Sequence, residues 1–241
     1  MSLVACLIRH GSTERGLERS KPLFRVAAGA LLAIAGTGST ASTLQAQAYN
    51  YPSMQTPRAS TRDYTAAIVG GAGTSFVFQW REGAGKGLHW QLDGGFADPK
   101  GGVDPLLFVG GGLGKQLTRA TNDQPLDVLF TAGVGAAFGG NRTAFRVPLG
   151  VSVGHTFELD QNMSLTPFVH PRLSVDACGS CGADKDSRTN LSANFDVGGH
   201  WQVNRQFGVR VSASFSGSDL VGSDETLAIG FNWTPAGLLK R

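Results

Sequence analysis

The chain has 241 residues, of which 34 are glycine and only 16% are charged. Its mean hydropathy is −0.05, and no apolar run reaches the ~18 residues of a spanning helix, so it is not a helical membrane protein. The net charge of +3 lies in the first 48 residues; positions 49–241 carry sixteen basic and sixteen acidic side chains, which leaves no basic patch of the kind that binds nucleic acid.

Residues 1–48 read as a secretory leader. Arg9, Arg15, Arg19, Lys21 and Arg25 precede an apolar core at 26–36, and Ala46-Gln47-Ala48 supplies an A-x-A cleavage pattern. The mature N-terminus is expected near Tyr49. The leader exceeds the usual ~15–30 residues, which an upstream start codon would explain. Cleavage after Ala41 is one alternative. A transit peptide is another, opposed by Glu14 and Glu18. Within the leader, "LIRHGSTE" resembles the signature of the histidine phosphatase family, matched at Arg9, His10, Gly11 and Thr13. That resemblance implies an α/β domain in which His10 takes up a phosphoryl group. The residues that follow alternate with a period of two, so the octet is read as part of the leader's basic region.

Period-two alternation starts at Tyr64 and predicts strands to the end of the chain. Ile68, Phe76, Phe78 and Trp80 share a parity, which allows a hairpin with a three-residue loop near 71–74. Leu88, Trp90, Leu92 and Phe96 oppose His89, Gln91 and Asp93. Leu107, Val109, Leu113 and Leu117 alternate with Phe108, Gly110, Gly112, Gly114 and Gln116. Segment 126–138 sets an apolar even face against Asp127, Thr131, Gly133 and Gly135. Segment 145–157 sets Phe145, Val147, Leu149, Val151, Val153 and Phe157 against Arg146, Gly150 and Ser152. Four more follow at 163–176, 190–203, 207–216 and 226–233, with His170, Arg172, Asp176, Asp196, His200 and Arg210 on the polar faces. Gly/Asn/Asp/Pro-rich stretches such as "DPKGGVDP", "TRATNDQP" and "CGSCGADKDSRTN" separate them.

These strands run about 10–16 residues, and tilted membrane strands need ~9–11. The polar faces mix charges with Gly and Ser, and aromatic residues gather near the ends of the apolar faces, as in interfacial girdles. On these features residues 63–235 resemble the small bacterial outer-membrane β-barrels of the OmpX, OmpW and OmpA-domain kind. The resemblance implies an all-β, antiparallel up-and-down transmembrane barrel of 8–10 strands in the outer membrane. Its implied partners are outer-membrane lipid and the barrel-assembly machinery. Nine segments are evident and single-chain bacterial barrels have even numbers; splitting the first segment gives ten. Residues 49–62 then form a short N-terminal segment and 236–241 a tail. One departure is that Phe231 and Trp233 are followed by "TPAGLLKR" rather than ending the chain on an aromatic residue.

Cys178 and Cys181 are the only cysteines after the leader and are expected to form a loop disulfide in an oxidising compartment. A redox motif would need a βαβ context, and a zinc site two further ligands. "GGAG" at 70–73 and "GGGLG" at 110–114 open no helix and are not phosphate loops. The inward His89, Asp93, Asp127, Arg146, His170, Arg172, Asp176, Asp196, His200 and Arg210 are expected to satisfy one another in a filled lumen. No cofactor and no metal is expected. The functional expectation is a non-enzymatic outer-membrane barrel, structural or adhesive, or a narrow conduit for small solutes. The alternatives are a barrel lipid hydrolase, using an inward serine such as Ser192, Ser212 or Ser214 with a histidine, and a soluble barrel holding an apolar ligand.

Overall fold

The computed structural model describes residues 51–71, 73–100, 104–139, 142–159, 162–179, 187–217 and 224–235. The expected leader with its "LIRHGSTE", Cys181 and the tail 236–241 lie outside them. Eleven strands follow in order: β1 (Arg62–Gly70), β2 (Gly73–Gly85), β3 (Leu88–Pro99), β4 (Leu106–Thr118), β5 (Asp127–Gly139), β6 (Arg142–Gly154), β7 (Phe157–Glu158), β8 (Ser164–Gly179), β9 (Arg188–Gln202), β10 (Phe207–Gly217) and β11 (Asp224–Trp233). Among the described residues there is no helix.

Neighbouring strands pair antiparallel, β6 pairs with β8, and β1 pairs with β11 through a register that sets Tyr64 opposite Trp233. The sheet therefore closes. β7 is a two-residue continuation of β6, so the wall is a barrel of ten strands. Closure gives each of the ten wall strands a hydrogen-bonded neighbour on both sides.

Ten strands arise because the first long segment splits. Gly70 pairs with Thr74, a three-residue connection that keeps Ile68 and Phe76 on one face. The interruption between β6 and β7 was not expected from the sequence, which alternates through it. Both pieces hold one register against β8, Val153 opposite Val169 and Phe157 opposite Leu165. In that register His155 faces Pro167, which has no N–H to return to the ladder. The β2–β3 hairpin turns through three residues with positive φ, Gly85 (80°), Lys86 (50°) and Gly87 (70°). Two are glycines, which adopt that region without steric cost.

Strands extend further than the sequence suggested, so the connections shorten. The end carrying the Lys86-Gly87 turn also carries the eight-residue connection 119–126, which equals the longest connection at the other end, 180–187. Both the start of β1 and the end of β11 lie at the former, called here the hairpin end.

Burial alternates along most of the wall, less sharply on the glycine-rich β3, β4 and β5. On β10, for example, Gly208, Arg210, Ser212, Ser214 and Ser216 are buried and face inward. A cluster of buried apolar residues also lies inside the barrel, in its half away from the hairpin end: Val69, Val77, Leu106 and Phe108, with several alanines, surround Met54. The lumen is thus not polar throughout. Its apolar patch seats side chains of residues that precede β1.

Candidate functional site in the barrel lumen

The sheet's alternation aims one residue in two at the lumen, and there the polar side chains meet in three groups. At the hairpin end, buried Asp63 accepts hydrogen bonds from Arg81 Nη1 (3.5 Å), Arg210 Nη1 (3.4 Å) and Asn232 Nδ2 (3.2 Å). Toward the other end, Arg146 grips Asp176 through Nε (2.6 Å) and Nη2 (2.9 Å), a bidentate pair. Ser192 Oγ also donates to Asp176 (2.6 Å). At mid-height, Asp196 accepts from Arg172 Nη2 (2.8 Å) and stands 3.6 Å from His170 Nδ1.

The other sequence-chosen residues also point inward. His89 and Asp127 are fully buried and Asp93 nearly so. His200 and His89 fit where the facing strand lacks a side chain. A Cβ on Gly208 would come 2.5 Å from His200 Nε2, and one on Gly114 would come 2.2 Å from His89 Cε1.

The lumen holds one element that sequence reasoning did not place there. Residues 51–60 form no strand, yet Pro52, Met54, Gln55, Thr56 and Pro57 are buried. The segment climbs through the barrel from the hairpin end. Ser60 N donates to His89 Nδ1 (3.4 Å), Arg58 Nε to Asp127 (2.7 Å), and Gln116 Nε2 to the Pro57 carbonyl (2.9 Å). Ser152 Oγ donates to the Gln55 carbonyl (2.7 Å). The Ser53 carbonyl accepts from Gln79 Nε2 (3.2 Å) and Arg81 Nη2 (3.1 Å). Tyr51 stacks on Phe108 with ring centroids 5.1 Å apart, and its hydroxyl donates to Asp93 (3.4 Å). These contacts come from five strands, β2 to β6, and Ser53 adds β8 and β9 through His170 and Asp196. Met54 takes a left-handed φ of 48°, uncommon for a side chain without glycine's freedom, and held by the wall around it.

Sequence reading missed Asp63, Gln79 and Arg81, although the parity that set Phe78 and Trp80 outward already turned them inward. Segment 51–60 gave no signal. An irregular peptide has no period, and its partners are distant in sequence.

Ser53 Oγ donates to Asp196 Oδ2 (2.7 Å), so the 2.6 Å contact with His170 Nδ1 has the ring N–H as donor. That leaves His170 Nε2 as the acceptor for Thr131 Oγ1 (2.9 Å). Ser53 is therefore not activated by His170; the hydroxyl on the basic nitrogen is that of Thr131. The cavity there is about 70 Å³, room for a few waters and well below the ~300 Å³ of small-molecule sites. Ser192 is engaged with Asp176 and Ser212 with the Val197 carbonyl. Among the described residues, no hydrogen bond joins either serine to a histidine.

The outer surface inverts the usual polarity. Large apolar side chains such as Ile68, Leu107, Val134, Leu173, Leu191 and Ile229 are each more than 55% exposed. Soluble monomers rarely expose apolar patches beyond a few hundred Å². Aromatic rings gather near the hairpin end, with Tyr64 against Trp80 (6.1 Å) and Trp233 (5.4 Å), and Phe207 against Phe231 (5.4 Å). Others gather toward the far end, Phe76 against Phe96 (6.0 Å) and Phe138 against Phe145 (6.5 Å). A closed antiparallel barrel, polar within and apolar without, is a lipid-embedded one. The fold is that of an outer-membrane β-barrel.

No protein-family model matches this outer-membrane barrel, and no curated protein matches it. Several solved structures resemble it in general fold. A bacterial polysaccharide outer membrane secretin has 9% identity and a TM-score of 0.44 over 69% of this chain, which spans 57% of the secretin chain. The KdgM porin has 7% identity and a TM-score of 0.37, covering 72% of this chain and 99% of its own. Neisserial surface protein A has 12% identity and a TM-score of 0.32, covering 71% and 93%. The membrane assignment rests on the barrel's own polarity.

Proposed function

We propose that the protein is a non-enzymatic outer-membrane barrel whose lumen is closed at rest, with a structural or adhesive role rather than that of a general diffusion pore. The observation that carries this reading is the segment 51–60, hydrogen-bonded to inward side chains of seven strands. For eight strands a barrel interior is already filled by side chains, and ten add little room. Here that room is taken by the chain itself. A lipid hydrolase would need a nucleophile that lipid can reach; Thr131 and His170 instead face a cavity too small for an acyl chain.

Purified protein in planar bilayers tests the reading. It should show little or no conductance, and steady, large, weakly selective currents would overturn it. Incubation with phospholipid should release no fatty acid above a blank; turnover abolished by His170→Ala would move the protein to the hydrolases.

A further inference from the structure

Segment 51–60 is bound unlike any other part of the barrel. Among the described residues, no backbone–backbone hydrogen bond ties it to a strand. Side chains hold it, and it joins the wall only where the chain enters β1. Among the described residues, no rung of the sheet depends on it.

Three of its side chains donate to carboxylates of the wall. Asp127 is bound by Arg58 at the hairpin end, Asp196 by Ser53 at mid-height, and Asp93 by Tyr51 slightly further along. Withdrawal removes the positive charge of Arg58 and releases contacts on all three carboxylates. Among the basic inward side chains, Arg81 loses its bonds to the Ser53 and Met54 carbonyls but stays beside Asp63. Arg146 stays on Asp176, Arg172 on Asp196, and Arg210 on Asp63. Beyond mid-height a polar wall continues the path on β8, β9 and β10, through Ser174, Ser192, Asn194 and Ser216, all buried and inward. Asn194 Oδ1 and Ser216 Oγ there have no hydrogen-bond partner among the described residues.

We propose that the lumen is a cation-conducting path for small hydrated ions and that residues 51–60 occlude it. Acidic side chains lining a narrow passage with low-dielectric walls concentrate cations and repel anions. The inference rests on the closed-lumen reading above and adds a second, open state with a defined charge preference.

The test is bilayer recording under a KCl gradient. A chain lacking residues 51–60 should give steady openings whose reversal potential favours potassium over chloride, and combining the deletion with Asp127→Asn and Asp196→Asn should cut that preference several-fold. Absence of current from a barrel shown to be folded by its circular dichroism, or chloride preference, would overturn the proposal. If the deleted chain does not fold, full-length protein carrying Arg58→Ala and Ser53→Ala decides. Brief openings at least ten-fold more frequent than in the unmodified protein support the inference, and an unchanged frequency overturns it. Steady current from the unmodified protein would instead sink the closed-lumen reading, so the two failures are distinct.

Discussion

Arg146 and Asp176 show what a buried charge requires in this lumen. Both side chains are about 6% exposed, and the carboxylate takes two guanidinium bonds and a serine hydroxyl. Arg146→Ala would strand Asp176 in a low-dielectric site, costing about 3–5 kcal/mol. Urea unfolding of the detergent-solubilised barrel, followed by tryptophan fluorescence, should show that loss. The double change Arg146→Met with Asp176→Leu should lose much less, because no uncompensated charge remains. A second residue-scale expectation concerns Gly114. Alanine there would drive its Cβ into the His89 ring, whereas His89→Ala removes the obstacle. Gly114→Ala should therefore destabilise the wild-type barrel by about 1–3 kcal/mol, as overpacking does, and the His89→Ala background by clearly less. Additive losses in the double variant would show that the ring and the glycine are not coupled.

Among the elements, the strands were legible and segment 51–60 was not. Period two reports which residues share a face, and a barrel wall needs little more. The even strand number of single-chain barrels pointed to a split of the first segment, and parity allowed it near 71–74, because Ile68 and Phe76 could stay outward across a three-residue loop. Parity also gave the inward direction of residues such as His170 and Arg210. It gave no partners, since Arg146 meets Asp176 only through the β6–β8 register, and register depends on pairings between distant segments. It was also silent on His155, where a proline on the opposite strand breaks the ladder. The loop after β8 carries a remaining expectation. Cys178 is the penultimate residue of that strand, and Cys181 lies three residues on. Thiol labelling of the native exported protein should find neither cysteine reactive until a reductant is added; two readily alkylated thiols without reductant would argue against the bridge.

For the molecule as a whole, lipid on the outside and polar bonds on the inside are separate sources of stability, and they respond to different substitutions. Val134 is central on β5, outward and 58% exposed. Val134→Arg would place a charge in the hydrocarbon layer, costing about 2–4 kcal/mol if the site lies at the midplane and less nearer the interface. The same substitution in a soluble barrel would be nearly neutral on such an exposed face. Unfolding in lipid bilayers therefore distinguishes the two settings: a loss well below 1 kcal/mol would speak against a lipid-facing Val134.

The seam between β1 and β11 has a consequence for how the chain reaches this state. It joins residues as far apart as Tyr64 and Trp233, so the first strand must wait for the last. Segment 51–60 stands immediately before β1, and its partners are spread around the wall, with Asp127 on one side and Asp196 on another. A peptide already bonded to both sides shortens the search for the seam, since it holds distant strands near one another before the rungs form. In that order of events the segment is a mandrel around which the sheet curls, and the lumen is occupied from the moment it exists.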